Sequence, residues 1–457
     1  MVQKAHKLQP TPVWLGRLRI DLGKLALPAL SGSQSGLLSL SFEVPMEALA
    51  APPAHARKWM YWHQPDKQHK LLGIGLAFSL RAQGAQRFQT LDSAYQRLQA
   101  SWTRIAQGRG RAGARVFMGF AFDPECEPDE DWQGFDNAGL YVPELLLEWR
   151  NGHCVLTFNC FREQDTCAEE VVNGWLSQLS SLLQQERPVS TVSPTFLKTE
   201  LPDVSTWQNN VAEAVAAMGT GALDKVVLTR QLRLHFREQV AHRQMLGALA
   251  QQYPGCTLCS ISLGQGVLLA ATPEQLFRMS AESVHCDALA GTFPAHVRQP
   301  DAAMEIHEHA PVVDAIRTAL QPLCTRIKAD RAAQPLALRS LSHLYTAVHA
   351  APRAGVRPLQ VLEALHPTPA VGGTPRRVAL AWIHEHEQLT RGWYTGGFGW
   401  LGDNHEAQIS VILRCALIRN KQARLYAGAG ITRVSDPEQE LHETRLKFEP
   451  MLNVLTR

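Results

Sequence analysis

Residues 407–447 read AQISVILRCALIRNKQARLYAGAGITRVSDPEQELHETRLK, and the rest of the chain is organised around this stretch. From Ala407 to Ile418 the apolar residues Ile409, Val411, Leu413, Cys415 and Leu417 recur at period two, the spacing of a half-buried strand, with Arg414 on the opposite face. A turn at Arg419-Asn420-Lys421-Gln422 leads to a second strand, Arg424 to Gly428. The spacing then predicts a glycine loop, Ala427-Gly428-Ala429-Gly430, where backbone can approach a ligand because two positions lack a side chain. Asp436-Pro437 predicts a helix start, with Asp as N-cap and Pro at the first helical position. On that helix Leu441, Phe448, Leu452 and Leu455 form an apolar stripe, and Glu440, Glu443 and Lys447 share another face. An arginine, exposed backbone amides, two carboxylates and a lysine suit an anionic small molecule with a hard cation such as magnesium. Taken alone, the set is better read as a solvated helix face beside a strand arginine.

The chain has 457 residues, 45% apolar and 19% charged, which is the composition of a globular protein of one large domain or a few ordinary ones. A net charge of +3 is too small to argue for nucleic acid, and Gly108-Arg109-Gly110-Arg111 reads as a solvated loop. No apolar run approaches the ~20 residues of a membrane span, and Met1 to Leu8 lacks the apolar core of a signal peptide. Nine scattered cysteines, an odd number, argue for reduced thiols and a cytoplasmic setting. Cys256 and Cys259 form one CxxC within an apolar strand, which reads as buried thiols rather than zinc.

Upstream, Lys70–Leu80 and Val116–Phe122 read as strands, Leu91–Gln107 and Glu169–Gln185 as helices, and Leu145–Asn159 as a hairpin turning at Asn151-Gly152. Arg187 to Thr195 is the best linker candidate. Trp207–Met218 is helical, and Lys225 opens the strand Lys225 to Arg230, sharing a face with Val227 and Thr229. An inward lysine there would lose hydration and fall in pKa; an outward one would reach water at the strand mouth. Thr272-Pro273-Glu274 has the pattern of a helix start, with Glu274 in the first turn where the dipole favours its charge. Val284–Leu289 is a strand leading into Ala290-Gly291-Thr292. Glu305 and Glu308 share a helical face and repeat the Glu440/Glu443 spacing, so two ExxE pairs could hold magnesium with few direct ligands and several waters. Pro311 should kink that helix near Glu308. His366 to Pro375 is a loop, and Arg376 to His386 the helix after it.

These pieces, in this order, resemble the chorismate-utilising enzymes: isochorismate synthases, salicylate synthases, and the large subunits of anthranilate and aminodeoxychorismate synthases. The matching segments are Asp224 to Arg230, Ala271-Thr272-Pro273-Glu274, Ala288-Leu289-Ala290-Gly291-Thr292, His307-Glu308-His309, His366 to Gly373, Arg391-Gly392-Trp393-Tyr394, Leu413-Arg414-Cys415-Ala416, Tyr426 to Ile431, and Ser435 to Glu438 with Glu440, Glu443 and Lys447. Tyr61-Trp62 and Gly119 to Pro124 extend the likeness more loosely toward the N-terminus. The resemblance implies an α+β fold of two large packed antiparallel sheets flanked by helices. It implies one domain over 1–457, with a variable N-terminal portion (1–195) and a chorismate-binding catalytic portion (200–457).

Within the family, Lys225 stands where water-using members carry a lysine base. Ala290 stands where aminodeoxychorismate synthases carry a nucleophilic lysine, and Ala370 where isochorismate synthases have alanine and salicylate synthases tend to threonine. The resemblance therefore implies a magnesium-dependent isochorismate synthase: Lys225 as base, Glu274 as acid, and Glu308 and Glu443 on the metal, with Glu305 and Glu440 holding its waters. Arg414, Tyr394 and the Gly428–Gly430 backbone would bind the enolpyruvyl carboxylate, beside Ala290, Gly291, Thr292, Ala370 and Lys447. It further implies chorismate as substrate, no glutamine amidotransferase subunit, no nucleic-acid or membrane partner, a monomer or weak homodimer, and a product feeding menaquinone, siderophore or salicylate biosynthesis. Met304, Ile306, Phe293 and Pro311 depart from the family pattern, all around the segment of Glu308. A salicylate synthase, or a chorismate-binding paralogue without turnover, remain the alternatives.

Overall fold

The computed structural model describes residues 13–31, 35–45, 57–107, 114–183, 196–240, 242–294, 297, 308–337 and 341–456. The Met1–Leu8 segment, the Gly108–Arg111 run, the Arg187–Thr195 linker, and Glu305 with Met304 and Ile306 lie outside the described residues.

Two sheets dominate. The larger has 13 strands, in the order Phe196–Leu201, Lys225–Phe236, Gln422–Thr432, Cys415–Arg419, Val267–Thr272, Thr257–Leu263, Lys58–Gln64, His69–Ile74, Leu145–Arg150, His153–Arg162, Gly36–Val44 and Thr103–Gln107, with Gly373–Thr374 paired to Lys225–Val226. The smaller has 10, in the order Cys324–Ala329, Leu341–Pro352, Val284–Pro294, Gln275–Met279, Ala407–Val411, Gly397–Leu401, Val116–Phe120, Ala138–Val142 and Phe78–Ala82, with Gln334–Ala337 on Leu341–Pro352. Every pairing is antiparallel except that of Gly36–Val44 with Thr103–Gln107. The expected α+β architecture is what the chain adopts.

Side-chain alternation explains the layering. Along Lys58–Gln64, Met60 and Trp62 turn into the space between the sheets, while Trp59 and Tyr61 turn outward. The layer between the sheets is rich in aromatic rings: Trp62, Phe117, Trp393, Phe398, Trp400 and Tyr426. The outer face of the larger sheet is covered by the helices Val13–Leu30, Ala168–Leu183, His242–Gln252 and Pro437–Leu455, whose Leu22, Trp175, Leu249 and Phe448 are buried. The smaller sheet packs against Arg87–Ala100, Ala310–Leu320 and Pro358–Leu365, while Val204–Met218 and Arg376–His386 lie against the end of the larger sheet that holds Lys225–Phe236. No helix among the described residues is long and apolar enough to cross a membrane.

Several local expectations change. The single strand expected over 407–418 is two strands in different sheets, Ala407–Val411 and Cys415–Arg419, broken at Arg414, whose φ is 47°. Both faces of the run are buried, including Gln408, Ser410 and Arg414, so period two continues across a change of sheet. The expected glycine loop is instead the end of the strand Gln422–Thr432, where Gly428 and Gly430 pair with Thr229 and Val227. Thr272-Pro273-Glu274 opens no helix: Thr272 ends one strand and Gln275 begins another in the other sheet. The helix expected over 91–107 is Arg87–Ala100 followed by a strand, and 70–80 is divided between two strands. Pro311 lies in the first turn of Ala310–Leu320, where a missing N–H costs nothing, rather than at an interior kink. The Asp436 N-cap is as expected, its side chain accepting from the amides of Glu438 and Gln439.

Candidate active site

Twice the chain passes from one sheet to the other at the same place, and each crossing delivers a charged side chain. One is Thr272–Gln275, which carries Glu274; the other is 412–414, which carries Arg414. They are stitched together: Thr272 Oγ1 donates to the Val411 carbonyl at 2.6 Å, the Val411 amide donates to the Glu274 carbonyl at 3.1 Å, and the Ala271 amide donates to the Arg414 carbonyl at 3.2 Å. Here the larger sheet splits, because Cys415–Arg419 pairs with Gln422–Thr432 only as far as Tyr426. Gly428 and Gly430 lie beyond that point, and the parting opens a small cleft.

The cleft gathers residues scattered over more than 200 positions. Lys225, Glu274, Ala290, Gly291, Thr292, Glu308, Ala370, Tyr394, Arg414, Gly428, Gly430, Glu443 and Lys447 all line it. Of the site residues read from the sequence, Glu440 sits outside the lining and Glu305 outside the described residues. Ala290-Gly291-Thr292 forms a bulge in Val284–Pro294, with Gly291 at φ 76°, a conformation that needs glycine. The other two glycines are required by close approach. A Cβ on Gly430 would lie 2.8 Å from Lys225 Cε, and one on Gly428 would lie 2.9 Å from the Tyr394 hydroxyl.

Lys225 is inward, only 4% exposed, at the first position of its strand. Burial lowers its pKa, against the opposing pull of Glu308. Glu274 is 3% exposed. Burial first, and then the Asp287 carboxylate, pushes it up to about 8, with Arg414 and Lys225 opposing. Without a helix beneath it, no dipole offsets that loss of hydration. The cleft therefore holds a lysine that gives up its proton more readily than usual and a carboxyl that holds its proton more tightly, displacements that suit a base and an acid sharing one site.

Sequence reasoning missed His343, which also lines the cleft. Arg414 Nη2 donates to its Nε2 at 3.2 Å, and its Nδ1 lies 3.3 Å from Thr292 Oγ1. Burial first, then Arg414, hold His343 far below its usual pKa, so it is neutral, with its proton on Nδ1. It steadies the guanidinium without competing for an anion. Its only signal is its pairing opposite Thr292, 51 positions away, which a single strand pattern does not reveal.

On the other wall, Lys447 Nζ lies 2.5 Å from Glu443 and donates to the Gly428 carbonyl at 2.9 Å. Burial raises Glu308, with Glu443 adding to the effect; burial and Glu443 push Glu440 up to about 8. Crowded carboxylates facing Lys447 and Lys225 form a hard, oxygen-rich site. Among the described residues no three His, Cys, Asp or Glu groups converge closely enough to hold a metal unaided. Two carboxylates completed by waters and a ligand oxygen nevertheless suit magnesium, which rarely occupies an all-protein cage.

A family model described as chorismate binding enzyme matches residues 27–456. The chain belongs to the chorismate-binding enzymes. This chorismate-binding enzyme is 32% identical over 468 aligned positions to the salicylate biosynthesis isochorismate synthase of Pseudomonas aeruginosa, covering 98% of this chain and 96% of that one. It is 30% identical over 404 positions to isochorismate synthase MenF of Escherichia coli, covering 84% of each. Among solved structures it superposes on the menaquinone-specific isochorismate synthase MenF from Escherichia coli with a TM-score of 0.78 at 26% identity, over 96% of this chain and 100% of that one. Anthranilate synthase component I from Streptococcus pneumoniae shares the fold, with a TM-score of 0.68 at 18% identity over 84% of this chain and 92% of that one.

Proposed function

We propose that the protein is an isochorismate synthase, an isomerase that moves the ring hydroxyl of chorismate from carbon 4 to carbon 2 by way of water. One observation carries the reading: Lys225 and Glu274, both buried, line one cleft with their pKa values displaced toward each other. Neutral Lys225 takes a proton from water as the water oxygen bonds to carbon 2. The two ring double bonds shift, the carbon 4–oxygen bond breaks, and Glu274 gives its proton to the departing hydroxyl. Water is consumed and released, so no ammonia and no glutamine amidotransferase subunit are needed. Ala290 offers no competing nucleophile. Arg414, held by His343, binds the enolpyruvyl carboxylate with Tyr394 and the Gly428–Gly430 backbone.

Glu308 and Glu443 would hold magnesium, with Glu305 and Glu440 acting through water. When bound, the ion neutralises the ring carboxylate and orients it. On the same reading the protein acts in the cytoplasm as a monomer or weak homodimer, with no nucleic-acid or membrane partner, and residues 200–457 form the catalytic portion of one domain.

The test is purified protein incubated with chorismate and magnesium, with products separated by chromatography. Isochorismate should form without ammonia, and be lost with EDTA or in Lys225→Ala. Anthranilate, or salicylate with pyruvate as the only product, would refute the assignment; chorismate binding in calorimetry with no product over hours would point to a paralogue without turnover.

A further inference from the structure

Arg391 and Glu387 play no part in the chemistry above, yet they form the most deeply buried ion pair against the cleft. Arg391 is 4% exposed, and its Nε and Nη2 donate to the two Glu387 oxygens at 2.6 and 2.7 Å. Their outward contacts fall on the strand that begins with Lys225. Along one edge that strand is fully paired, from Lys225 to His235, with Gln422–Thr432. Along the other, Gly373–Thr374 covers Lys225–Val226, and Phe196–Leu201 takes over only at Gln231. Among the described residues no strand covers Val227–Arg230 on that edge.

The ion pair fills the gap. Arg391 Nη2 donates to the Val227 carbonyl at 2.7 Å, where a neighbouring strand would offer an amide. Glu387 Oε2 accepts from the Thr229 amide at 3.2 Å, where a neighbouring strand would offer a carbonyl. Arg391 Nη1 donates to the Val371 carbonyl at 2.9 Å, so the loop bearing Ala370 is tied to the same point. Val227, Ala370 and Val371 are all cleft wall. The far side of the pair faces a second, open groove, so the two side chains are also the partition between that groove and the cleft. Removing either leaves buried backbone groups and a buried charge unpaired.

We propose that the Arg391–Glu387 pair is a positioning device for the base, a side-chain substitute for a missing strand that fixes the Lys225 strand and keeps water in the groove out of the cleft. This rests on Lys225 acting as base, and its test has a readout independent of turnover. In Arg391→Lys and Glu387→Gln, hydrogen exchange of the peptide spanning 225–230 should accelerate. With chorismate, kcat should fall by about 10- to 100-fold while KM stays within about threefold, because the pair's side chains hold the base's strand, at Val227 and Thr229, and make no hydrogen bond to Arg414 or the Gly428–Gly430 backbone. The acid limb of the pH profile should move to higher pH as water reaches Lys225. Arg391→Lys keeps one cation and should retain more activity than Arg391→Ala; if Arg391→Ala does not fold, the two milder variants decide. Unchanged exchange over 225–230, or faster exchange with kcat per folded molecule and acid limb unaltered, would overturn the proposal. Wild-type protein that does not convert chorismate would sink the functional reading instead, and the exchange result would still report on the pair.

Discussion

Replacing Glu274 by Gln should make the protein more stable and nearly inactive. Burial, reinforced by Asp287, raises this carboxyl from 4.5 to about 8. Below pH 4.5 the folded and unfolded chains both carry the proton, and its burial has no pH-dependent cost. As pH rises, the unfolded chain ionises first, so stability falls by about 1.4 kcal/mol per pH unit until the folded group ionises too. At pH 7 the loss is roughly 3 kcal/mol, levelling off near pH 8. Gln keeps the shape and has no proton to lose, so it escapes this loss. For a chain of this size the gain corresponds to roughly 3 to 5 °C in melting temperature at pH 8, shrinking toward nothing near pH 5. The same variant lacks the acid, and kcat should fall by about 10²- to 10⁴-fold. The assay is paired: thermal melts of both proteins from pH 5 to 9, and turnover of chorismate at each pH. Wild-type activity should decline above about pH 8, as Glu274 loses its proton. A variant no more stable than wild type at pH 8, or a stability difference flat with pH, would mean that Glu274 is ionised and solvated, and the acid assignment would fail.

Gly430→Ala places a methyl 2.8 Å from Lys225 Cε and should displace the amine, lowering kcat by about 10- to 100-fold with little change in melting temperature; steady-state kinetics beside thermal melts check this. His343→Ala leaves Arg414 without its acceptor and should raise KM by about tenfold while kcat changes less, measurable by initial rates. Glu440→Gln, one turn behind Glu443, should weaken magnesium activation by about tenfold without abolishing turnover, read from magnesium titrations of the rate.

Much of the site was legible before any coordinates, and the fold only in outline. Lys225 and the Glu443–Lys447 helix face could be read because strand and helix periodicities are local, Arg414 could be read from the motif it shares with the family, and the Asp436 cap marked the helix start. The changes of sheet were not legible. A run buried on both faces keeps its apolar alternation whether or not it stays in one sheet, so Ile412 to Arg414 looked like mid-strand. Thr272-Pro273-Glu274 carries the residue types of a helix start, but there Pro273 bridges two sheets, and tertiary pairing overrides the local signal. That error inverted the electrostatic expectation for Glu274, from a charge favoured by a dipole to one disfavoured by burial. Gly428 and Gly430 read as a loop because glycine weakens strands, whereas here it makes room for the lysine and the tyrosine hydroxyl. His343 and the Arg391–Glu387 pair are invisible without strand register.

The order of strands has one more consequence. Cys415–Arg419 and Gln422–Thr432 join the Lys225 strand to the rest of the larger sheet, and Gly397–Leu401 and Ala407–Val411 join the two halves of the smaller. Residues 397–432 are thus the keystone of both sheets. A nascent chain ending before Gly397 holds four half-sheets with raw edges. Premature termination in this region should yield insoluble fragments rather than a shortened enzyme.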